Sequence, residues 1–252
     1  MTTYNYILDK IARRGAAFLV LIDPDKHNDG SVTGFAEKCA AAGVDGFLVG
    51  GSLMMSRNHE EAIKEIKNLT HLPVIIFPGS INQVSPYADA ILYLSLISGR
   101  NPEHLIGKHV LAAPLIKNYG IEPISTGYML VESGVKTTAE YISGSAPIPR
   151  NKPEIAAATA LAAEYIGMKL LYLEAGSGAI QHVPFEMVQA VSEYCTVPLI
   201  AGGGIRTPQT AERMVESGAK VVVVGNHFEK VSDAALIKEF SDAVHTKDPK
   251  TV

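Results

Sequence analysis

The 252-residue sequence contains very little cysteine. Its two cysteines, Cys39 and Cys195, both fall in segments with a helical pattern, and no C-x-x-C pair occurs. A small secreted domain held together by disulfides needs several cysteines at regular spacings, so the sequence excludes that class of protein. We therefore expect reduced thiols and a cytoplasmic location.

Long hydrophobic runs are also missing. The longest apolar segments, such as 16–22 and 221–224, are far shorter than the roughly 20 residues that a membrane-spanning helix needs. The N-terminal residues lack the apolar stretch of a secretory signal peptide. The sequence thus predicts no transmembrane segment, and it leaves open a peripheral contact with a membrane that supplies a substrate.

An excess of positive charge is absent as well, because the formal net charge is -4 at pH 7. Proteins that bind nucleic acid normally present a basic surface, so we expect no nucleic-acid partner. An anionic substrate is not excluded, because backbone N–H groups can bind phosphate without any net positive charge. Hydrophobic residues make up 47% of the chain and charged residues 19%, which is typical of a well-buried globular enzyme.

Short segments rich in β-branched residues recur along the chain, and each is followed by a helical pattern. Segments that are apolar on both faces are typical of parallel strands covered by helices. Eight such strands alternating with helices predict a single domain, residues 1–252, folded as a closed TIM-type (β/α)8 barrel. The predicted strands are 17–23, 46–51, 74–79, 90–95, 124–132, 170–175, 197–202 and 221–225.

The connection between the third and fourth predicted strands is unusually short. Only residues 80–89 separate them, whereas a crossover that contains a helix normally needs about a dozen residues or more. We expect the outer ring of helices to be thin at this point, which would leave a groove beside the barrel. An irregular crossover without any functional role would account for the same spacing.

Glycine-rich turns follow the sixth, seventh and eighth predicted strands, at 176–178 (GSG), 202–204 (GGG) and 225–226 (GN). Glycine lets the backbone approach a ligand closely and adopt positive φ, so that several N–H groups can point at one anion. TIM barrels often bind phosphate at the turns after strands seven and eight. The three turns therefore predict a phosphate site, although tight turns without a ligand remain an alternative.

An acidic loop, LIDPDK at 21–26, ends the first predicted strand. Pro24 stops the strand pairing and leaves Asp23 at the barrel mouth, where a carboxylate can bind Mg²⁺. Ser52, after the second strand, could add an oxygen ligand, and Lys26 could offset the charge of a diphosphate. A helix cap at Asp25 with an incidental Asp23–Lys26 pair fits the spacing equally well.

Glu174 ends the sixth predicted strand, next to the first glycine turn. A carboxylate at the carboxyl end of a barrel strand, beside a phosphate site, can bind a substrate hydroxyl or accept its proton. A salt-bridged carboxylate at the rim is the alternative. His27 and His227 lie near strand ends without metal-ligand spacing, so we assign them no role.

The chain resembles the geranylgeranylglyceryl phosphate synthase family, which includes bacterial heptaprenylglyceryl phosphate synthases. The resemblance runs along nearly the whole chain, and PRNKPEIAAA before the sixth strand is similar to the branch called group II. The matching motifs are LIDPDK (21–26), VGGS (49–52), IIFPG (75–79), PIPRNKPEIAAA (147–158), YLEAGSGA (172–179), AGGGIR (201–206) and VVVVGN (221–226).

The resemblance implies a Mg²⁺-dependent prenyltransferase of ether-lipid biosynthesis. This enzyme would join the C3 hydroxyl of sn-glycerol 1-phosphate to geranylgeranyl diphosphate, a long prenyl diphosphate, and release diphosphate. Asp23 and Ser52 would bind Mg²⁺, Glu174 would hold the glycerol hydroxyls, and a side groove would receive the prenyl chain. The implied glycerol-phosphate ligands are Tyr172, Leu173, Glu174, Ala175, Gly176, Ser177 and Gly178, with Gly203, Gly204, Gly225 and Asn226 completing the phosphate site.

Two other functions are compatible with a phosphate-binding barrel. A phosphosugar isomerase commonly has acidic catalytic groups after strands one and five, where Glu132 is the available candidate. A non-catalytic binding protein could use the same fold, although the intact set of Asp23, Ser52 and Glu174 disfavours it. We expect the chain to form a homo-oligomer.

Overall fold

Eight parallel strands close into a barrel in which each strand pairs with its neighbours in sequence and β1 pairs with β8. The computed structural model describes residues 1–27, 31–55, 58–230 and 233–247. All eight predicted strands are present, so the predicted (β/α)8 barrel is confirmed. The strands are β1 (Ala17–Ile22), β2 (Gly46–Val49), β3 (Val74–Ile76), β4 (Ala90–Leu96), β5 (Glu122–Leu130), β6 (Leu170–Glu174), β7 (Leu199–Gly202) and β8 (Val221–Val224).

The helices surround this barrel, except for α1, which precedes β1 and buries Ile7 against the residues of the barrel interior. No helix in the described parts of the chain is long and apolar enough to cross a membrane. The α-helices of the described chain are α1 (Thr3–Arg14), α2 (Ser31–Ala41), α3 (His59–Leu69), α4 (Lys108–Tyr119), α5 (Thr138–Ser143), α6 (Pro153–Tyr165), α7 (Phe185–Tyr194), α8 (Pro208–Glu216), α9 (Asn226–Lys230) and α10 (Ala234–Val244).

Most of the predicted strands extend beyond the observed ones, most clearly at β3, which was expected at 74–79 and ends at Ile76, whereas β4 ends one residue later and β5 begins two residues earlier than predicted. Phe77, Pro78 and Gly79 follow, and a proline has no N–H to donate to a neighbouring strand. These residues therefore leave the sheet and form part of the barrel mouth.

Side chains along each strand alternate between two apolar cores. On β6, Leu170 and Tyr172 point into the barrel, whereas Leu171 and Leu173 pack against the surrounding helices. Successive side chains of a strand point to opposite faces, so only every second residue can reach the barrel interior or its mouth. This alternation determines which residues of a strand-end motif can meet a ligand with their side chains.

The outer ring lacks an α-helix between β3 and β4, as the short connection predicts. The 80–89 segment contains one short 3₁₀ helix, Ile81–Gln83. A cavity, which we call the side groove, lies beside β3 and β4 and is covered by α4. Its walls include the apolar residues Ile81, Val84, Ile91, Leu92, Leu94, Leu96, Ala112, Ile116 and Leu130.

A buried ionic cluster joins the elements at the amino-terminal end of the barrel. The Asp45 carboxylate, whose side chain is 1% exposed, lies 3.1 Å from the Arg14 guanidinium and 2.8 Å from Nε2 of His245. It also accepts a hydrogen bond of 2.9 Å from the backbone N–H of Phe18. This single side chain therefore connects α1, β1 and the segment after α10.

We expect Asp45→Ala to lower the free energy of unfolding by about 1–3 kcal/mol, because it leaves the buried Phe18 N–H and the partly buried Arg14 guanidinium without their shared acceptor. Equilibrium urea unfolding measures the change. Asp9→Ala is the matched control, since Asp9 forms an exposed pair with Arg13 at 2.8 Å and should contribute about 1 kcal/mol or less. Equal losses in the two variants would contradict a central role for Asp45.

Candidate active site

A large cavity, which we call the mouth cavity, opens at the carboxyl end of the barrel. Its volume is ≈ 500 Å³, and the loops after β1, β2, β6, β7 and β8 contribute to its walls. The structure therefore brings most of the predicted site residues together around one space. Those that line it are Asp23, Lys26, Ser52, Glu174, Gly176, Ser177, Gly178, Gly203, Gly204, Gly225 and Asn226.

The glycine turns after β6 and β7 lie directly against each other. Gly176 and Gly203 both adopt positive φ, at 96° and 79°. A Cβ atom on Gly203 would lie 2.7 Å from the backbone nitrogen of Gly176 and 2.2 Å from Oε1 of Glu174. Any side chain at position 203 would therefore displace the β6 turn and the carboxylate together.

Glu174 points from the end of β6 into the mouth cavity, and its side chain is only 6% exposed. Its Oε1 accepts a hydrogen bond of 2.7 Å from the backbone N–H of Gly176. Burial raises the pKa of Glu174 to about 6, while the neighbouring Tyr172 hydroxyl and the Gly176 N–H favour the ionised form. Near pH 7 the group is thus a carboxylate that can accept a proton from a substrate hydroxyl.

A chain of polar side chains connects the loops after β1, β8 and β6. Nζ of Lys26 lies 3.2 Å from Oδ2 of Asp23 and donates to Oδ1 of Asn226. The Asn226 side-chain amide in turn donates to Oγ of Ser177 at 2.7 Å. Lys26 and Asn226 therefore link the Asp23 carboxylate to the glycine turn after β6.

Asp23 also takes part in local structure. Its side chain accepts a hydrogen bond of 3.2 Å from the Asp25 N–H and so caps the short 3₁₀ helix Pro24–Lys26. Both features of the alternative interpretation, a cap in this loop and an Asp23–Lys26 pair, are thus present, with Asp23 rather than Asp25 as the capping side chain. The carboxylate nevertheless lines the mouth cavity, next to Gly51.

Three predicted glycerol-phosphate ligands have side chains that do not line the mouth cavity. Leu173 and Ala175 point outward into the core between barrel and helices, so they could meet a ligand only through their backbone. Tyr172 lies inside the barrel below Glu174, with its ring centroid 5.5 Å from that of Phe77 and 5.4 Å from that of Tyr128. Burial raises the pKa of Tyr172 well above its usual value, so its hydroxyl stays protonated beside Glu174.

Arg206, which is not among the predicted site residues, also lines the mouth cavity. Its guanidinium donates hydrogen bonds to the backbone carbonyls of Ala179, at 2.5 Å, and Ile180, at 2.8 Å. It thereby ties the loop after β6 to the loop after β7. Its position directly after the GGGI turn could have suggested this role, because that turn brings it to the same rim.

Glu132, the acidic candidate for an isomerase, is exposed and does not line the mouth cavity. Its backbone carbonyl accepts a hydrogen bond of 3.1 Å from the Arg150 guanidinium. The described structure thus places the carboxylates of Asp23 and Glu174 in the mouth cavity and leaves Glu132 outside it. That arrangement does not provide the acidic pair after strands one and five that the isomerase interpretation needs.

The mouth cavity continues into the side groove. One part of the boundary is polar and comes from the turn after β2, and the other is aromatic and comes from the ends of β3 and β5. The residues that line both spaces are Gly51, Ser52, Phe77, Tyr128 and Ala139. A ligand with an anionic head and a long apolar tail could therefore occupy both spaces at once.

Comparison with known proteins agrees with this architecture. Residues 9–244 match the PcrB family, which covers most of the chain. The chain belongs to the PcrB family. The similar proteins described next are named geranylgeranylglyceryl phosphate synthases, so the resemblance predicted from the motifs is confirmed.

Relatives named geranylgeranylglyceryl phosphate synthase are similar to this chain over most of their length. The geranylgeranylglyceryl phosphate synthase of Chitinophaga pinensis is 48% identical over 246 residues, which cover 98% of this chain and 97% of that protein. The synthase of Thermococcus gammatolerans is 46% identical over 227 residues, which cover 90% of this chain and 89% of that protein. The crystal structure of (S)-3-O-geranylgeranylglyceryl phosphate synthase from Thermoplasma acidophilum, in complex with its substrate sn-glycerol-1-phosphate, has a TM-score of 0.92 at 36% identity and covers 97% and 99% of the two chains.

The buried Glu174 carboxylate should cost this PcrB-family protein stability. Its pKa of about 6 in the folded state exceeds the ordinary value of 4.5, so the folded chain binds a proton in this window that the unfolded chain has released. This loss of stability is absent below about pH 4.5 and complete above about pH 6. Glu174→Gln should therefore gain about 2 kcal/mol relative to the unsubstituted protein between pH 4.5 and pH 7. Urea unfolding at several pH values measures this gain, and a difference that does not vary with pH would contradict it.

Proposed function

We propose that this PcrB-family chain is a prenyltransferase that joins the C3 hydroxyl of sn-glycerol 1-phosphate to geranylgeranyl diphosphate and releases diphosphate. The product would be an ether-linked intermediate of lipid biosynthesis. The relatives named as geranylgeranylglyceryl phosphate synthases support this activity, as does the relative whose structure holds sn-glycerol-1-phosphate.

The continuity of the mouth cavity with the side groove carries the proposal. Glycerol phosphate requires a small polar site with N–H donors, which the glycine turns after β6 and β7 can supply. The prenyl chain requires an apolar channel, which the missing helix between β3 and β4 leaves open. The two requirements meet at Ser52 and Phe77, where the diphosphate and its allylic carbon would lie.

Glu174 is the proposed proton acceptor. The glycine turns would fix the phosphate, so that the C3 hydroxyl faces the allylic carbon and the reaction is accelerated mainly by positioning. As the carbon–oxygen bond to glycerol forms and the bond to diphosphate breaks, the hydroxyl proton would pass to the Glu174 carboxylate. The apolar walls would exclude water, which would otherwise hydrolyse the allylic diphosphate.

Mg²⁺ is the proposed cofactor, and Asp23 and Ser52 would hold it. Oxygen ligands suit this ion, which usually completes its shell with water and substrate phosphate oxygens. The fit rests on geometry, because Asp23 lines the mouth cavity and contacts the turn that carries Ser52. When bound, the ion would stabilise the charge that develops on the departing diphosphate.

Homo-oligomer formation, a peripheral membrane contact and a cytoplasmic location stay predictions. The outer face of α4 carries exposed apolar side chains, including Val110 at 64%, Leu111 at 60% and Leu115 at 39%. An apolar surface of this kind would be covered in either type of association.

The decisive assay supplies labelled sn-glycerol 1-phosphate with geranylgeranyl diphosphate and follows the ether product and the released diphosphate. We expect turnover by the unsubstituted protein and a decrease of about 10²–10⁴-fold in Glu174→Gln, because a positioned acid–base group contributes on that scale. Glu212→Gln, on the exposed face of α8, is the matched control and should retain full activity. Turnover of Glu174→Gln near that of the control would remove Glu174 from its role.

Asp23→Asn should raise the Mg²⁺ concentration required for half-maximal prenyl transfer, because the neutral amide is a weaker ligand than a carboxylate. The amide oxygen can still accept the hydrogen bond from the Asp25 N–H, so the local turn should persist. Initial rates over a Mg²⁺ titration provide the measurement, with Asp9→Asn as an exposed control. Superimposable titration curves for Asp23→Asn and the unsubstituted protein would refute the metal assignment.

A further inference from the structure

Gln83, in the segment between β3 and β4, is a buried polar side chain that is only 4% exposed. Its Oε1 accepts a hydrogen bond of 3.0 Å from the backbone N–H of Gly79. Its Nε2 donates a hydrogen bond of 2.9 Å to the backbone carbonyl of Gly51. One amide group thus joins the turns that follow β2 and β3, and both of its polar atoms are used.

These two turns touch each other through backbone atoms. A Cβ atom on Gly79 would lie 2.4 Å from the carbonyl oxygen of Gly51 and 2.9 Å from that of Ser52. A Cβ atom on Gly50 would lie 2.1 Å from the carbonyl oxygen of Phe77. The strand ends are joined by the Phe77 N–H to the Val49 carbonyl at 2.9 Å, and beyond that point the Gln83 side chain is hydrogen-bonded to both turns.

Gln83 is itself held from behind by α3. Nε2 of His59 lies 2.8 Å from the Gln83 backbone carbonyl, and because a carbonyl only accepts, Nε2 must carry the proton. Burial lowers the pKa of His59, so the ring is neutral near pH 7 with this tautomer fixed. The 3₁₀ turn that carries Gln83 is therefore fixed to a helix of the outer ring.

The turn that Gln83 holds lies at a critical place. Gly51 and Ser52 line both the mouth cavity and the side groove, and the Asp23 carboxylate lies against Gly51. A shift of this turn would move the boundary between the polar space and the apolar channel. The glycine turns after β6 and β7, on the glycerol-phosphate side, have no direct hydrogen bond to Gln83 among the described contacts.

We propose that Gln83 is a positioning residue for the diphosphate end of the prenyl substrate, acting through the turn at Gly51 and Ser52. This inference rests on the proposed prenyl transfer. It assigns to the short connection a function beyond leaving space for the groove, because its buried amide sets the geometry where the two substrates meet. Substitution of Gln83 should therefore affect one substrate and spare the other.

Gln83→Met removes both hydrogen bonds at similar length, and Gln83→Glu keeps the acceptor for Gly79 but loses the donor to Gly51. We expect both variants to raise the KM for geranylgeranyl diphosphate about tenfold, since breaking a buried hydrogen bond costs about 1–3 kcal/mol. The KM for sn-glycerol 1-phosphate should stay within about twofold. Ile66→Val, a buried change in α3, controls for lost stability and should alter neither constant.

Amide hydrogen exchange tests the structural half of the proposal without any substrate. In Gln83→Met the Gly79 N–H should exchange faster, whereas the Gly176 N–H at the opposite side of the cavity should not. Should Gln83→Met fail to fold, Gln83→Glu carries the kinetic test alone, and exchange is then followed at residues 50–52.

The outcomes separate this inference from the proposed function. Absence of prenyl transfer in the unsubstituted protein would overturn both. Normal transfer by the unsubstituted protein, with unchanged prenyl KM in the folded Gln83 variants, would overturn only the role of Gln83. An equal rise of both KM values, matched by Ile66→Val, would likewise show that Gln83 contributes to stability alone.

Discussion

The rest of the site depends on the packing of a buried carboxylate against backbone where no side chain fits. Oε1 of Glu174 accepts the Gly176 N–H and lies where a Cβ of residue 203 would stand. Glycine at 203 thus allows the turns after β6 and β7 to close around the carboxylate. Burial raises the pKa of Glu174 to about 6, so the position of the proposed base is also one at which the fold loses stability.

A second constraint comes from what the outer ring lacks. A full helix between β3 and β4 would cover the barrel at the place where the side groove opens. The short 3₁₀ segment leaves that space and supplies Gln83, which holds the ends of β2 and β3 together. The polar mouth cavity and the apolar groove are therefore parts of one arrangement, and Gly51 and Ser52 form the boundary at which the chemistry would take place.

Much of this could be predicted from local sequence signals. Short apolar runs indicated all eight strands, and glycine clusters with Glu174 and Asp23 indicated the mouth cavity, because the carboxyl ends of barrel strands share one rim. The direction in which each side chain points was harder to predict. A motif such as YLEAGSGA does not show that Leu173 points outward while Glu174 points inward. Arg206 and Gln83 act through contacts between distant loops, and no local pattern in a single sequence reports such contacts.

The central claim is that Glu174 accepts the substrate proton as a carboxylate, and the pH profile of kcat/KM for sn-glycerol 1-phosphate tests it most directly. Such a profile reports the ionisation of essential groups in the enzyme form that binds the varied substrate, which here is the complex with geranylgeranyl diphosphate. With saturating geranylgeranyl diphosphate, we expect kcat/KM to decrease about tenfold per pH unit below an apparent pKa of about 6, the value that burial gives Glu174. A profile that stays flat from about pH 5 to 8 would contradict this role for the Glu174 carboxylate.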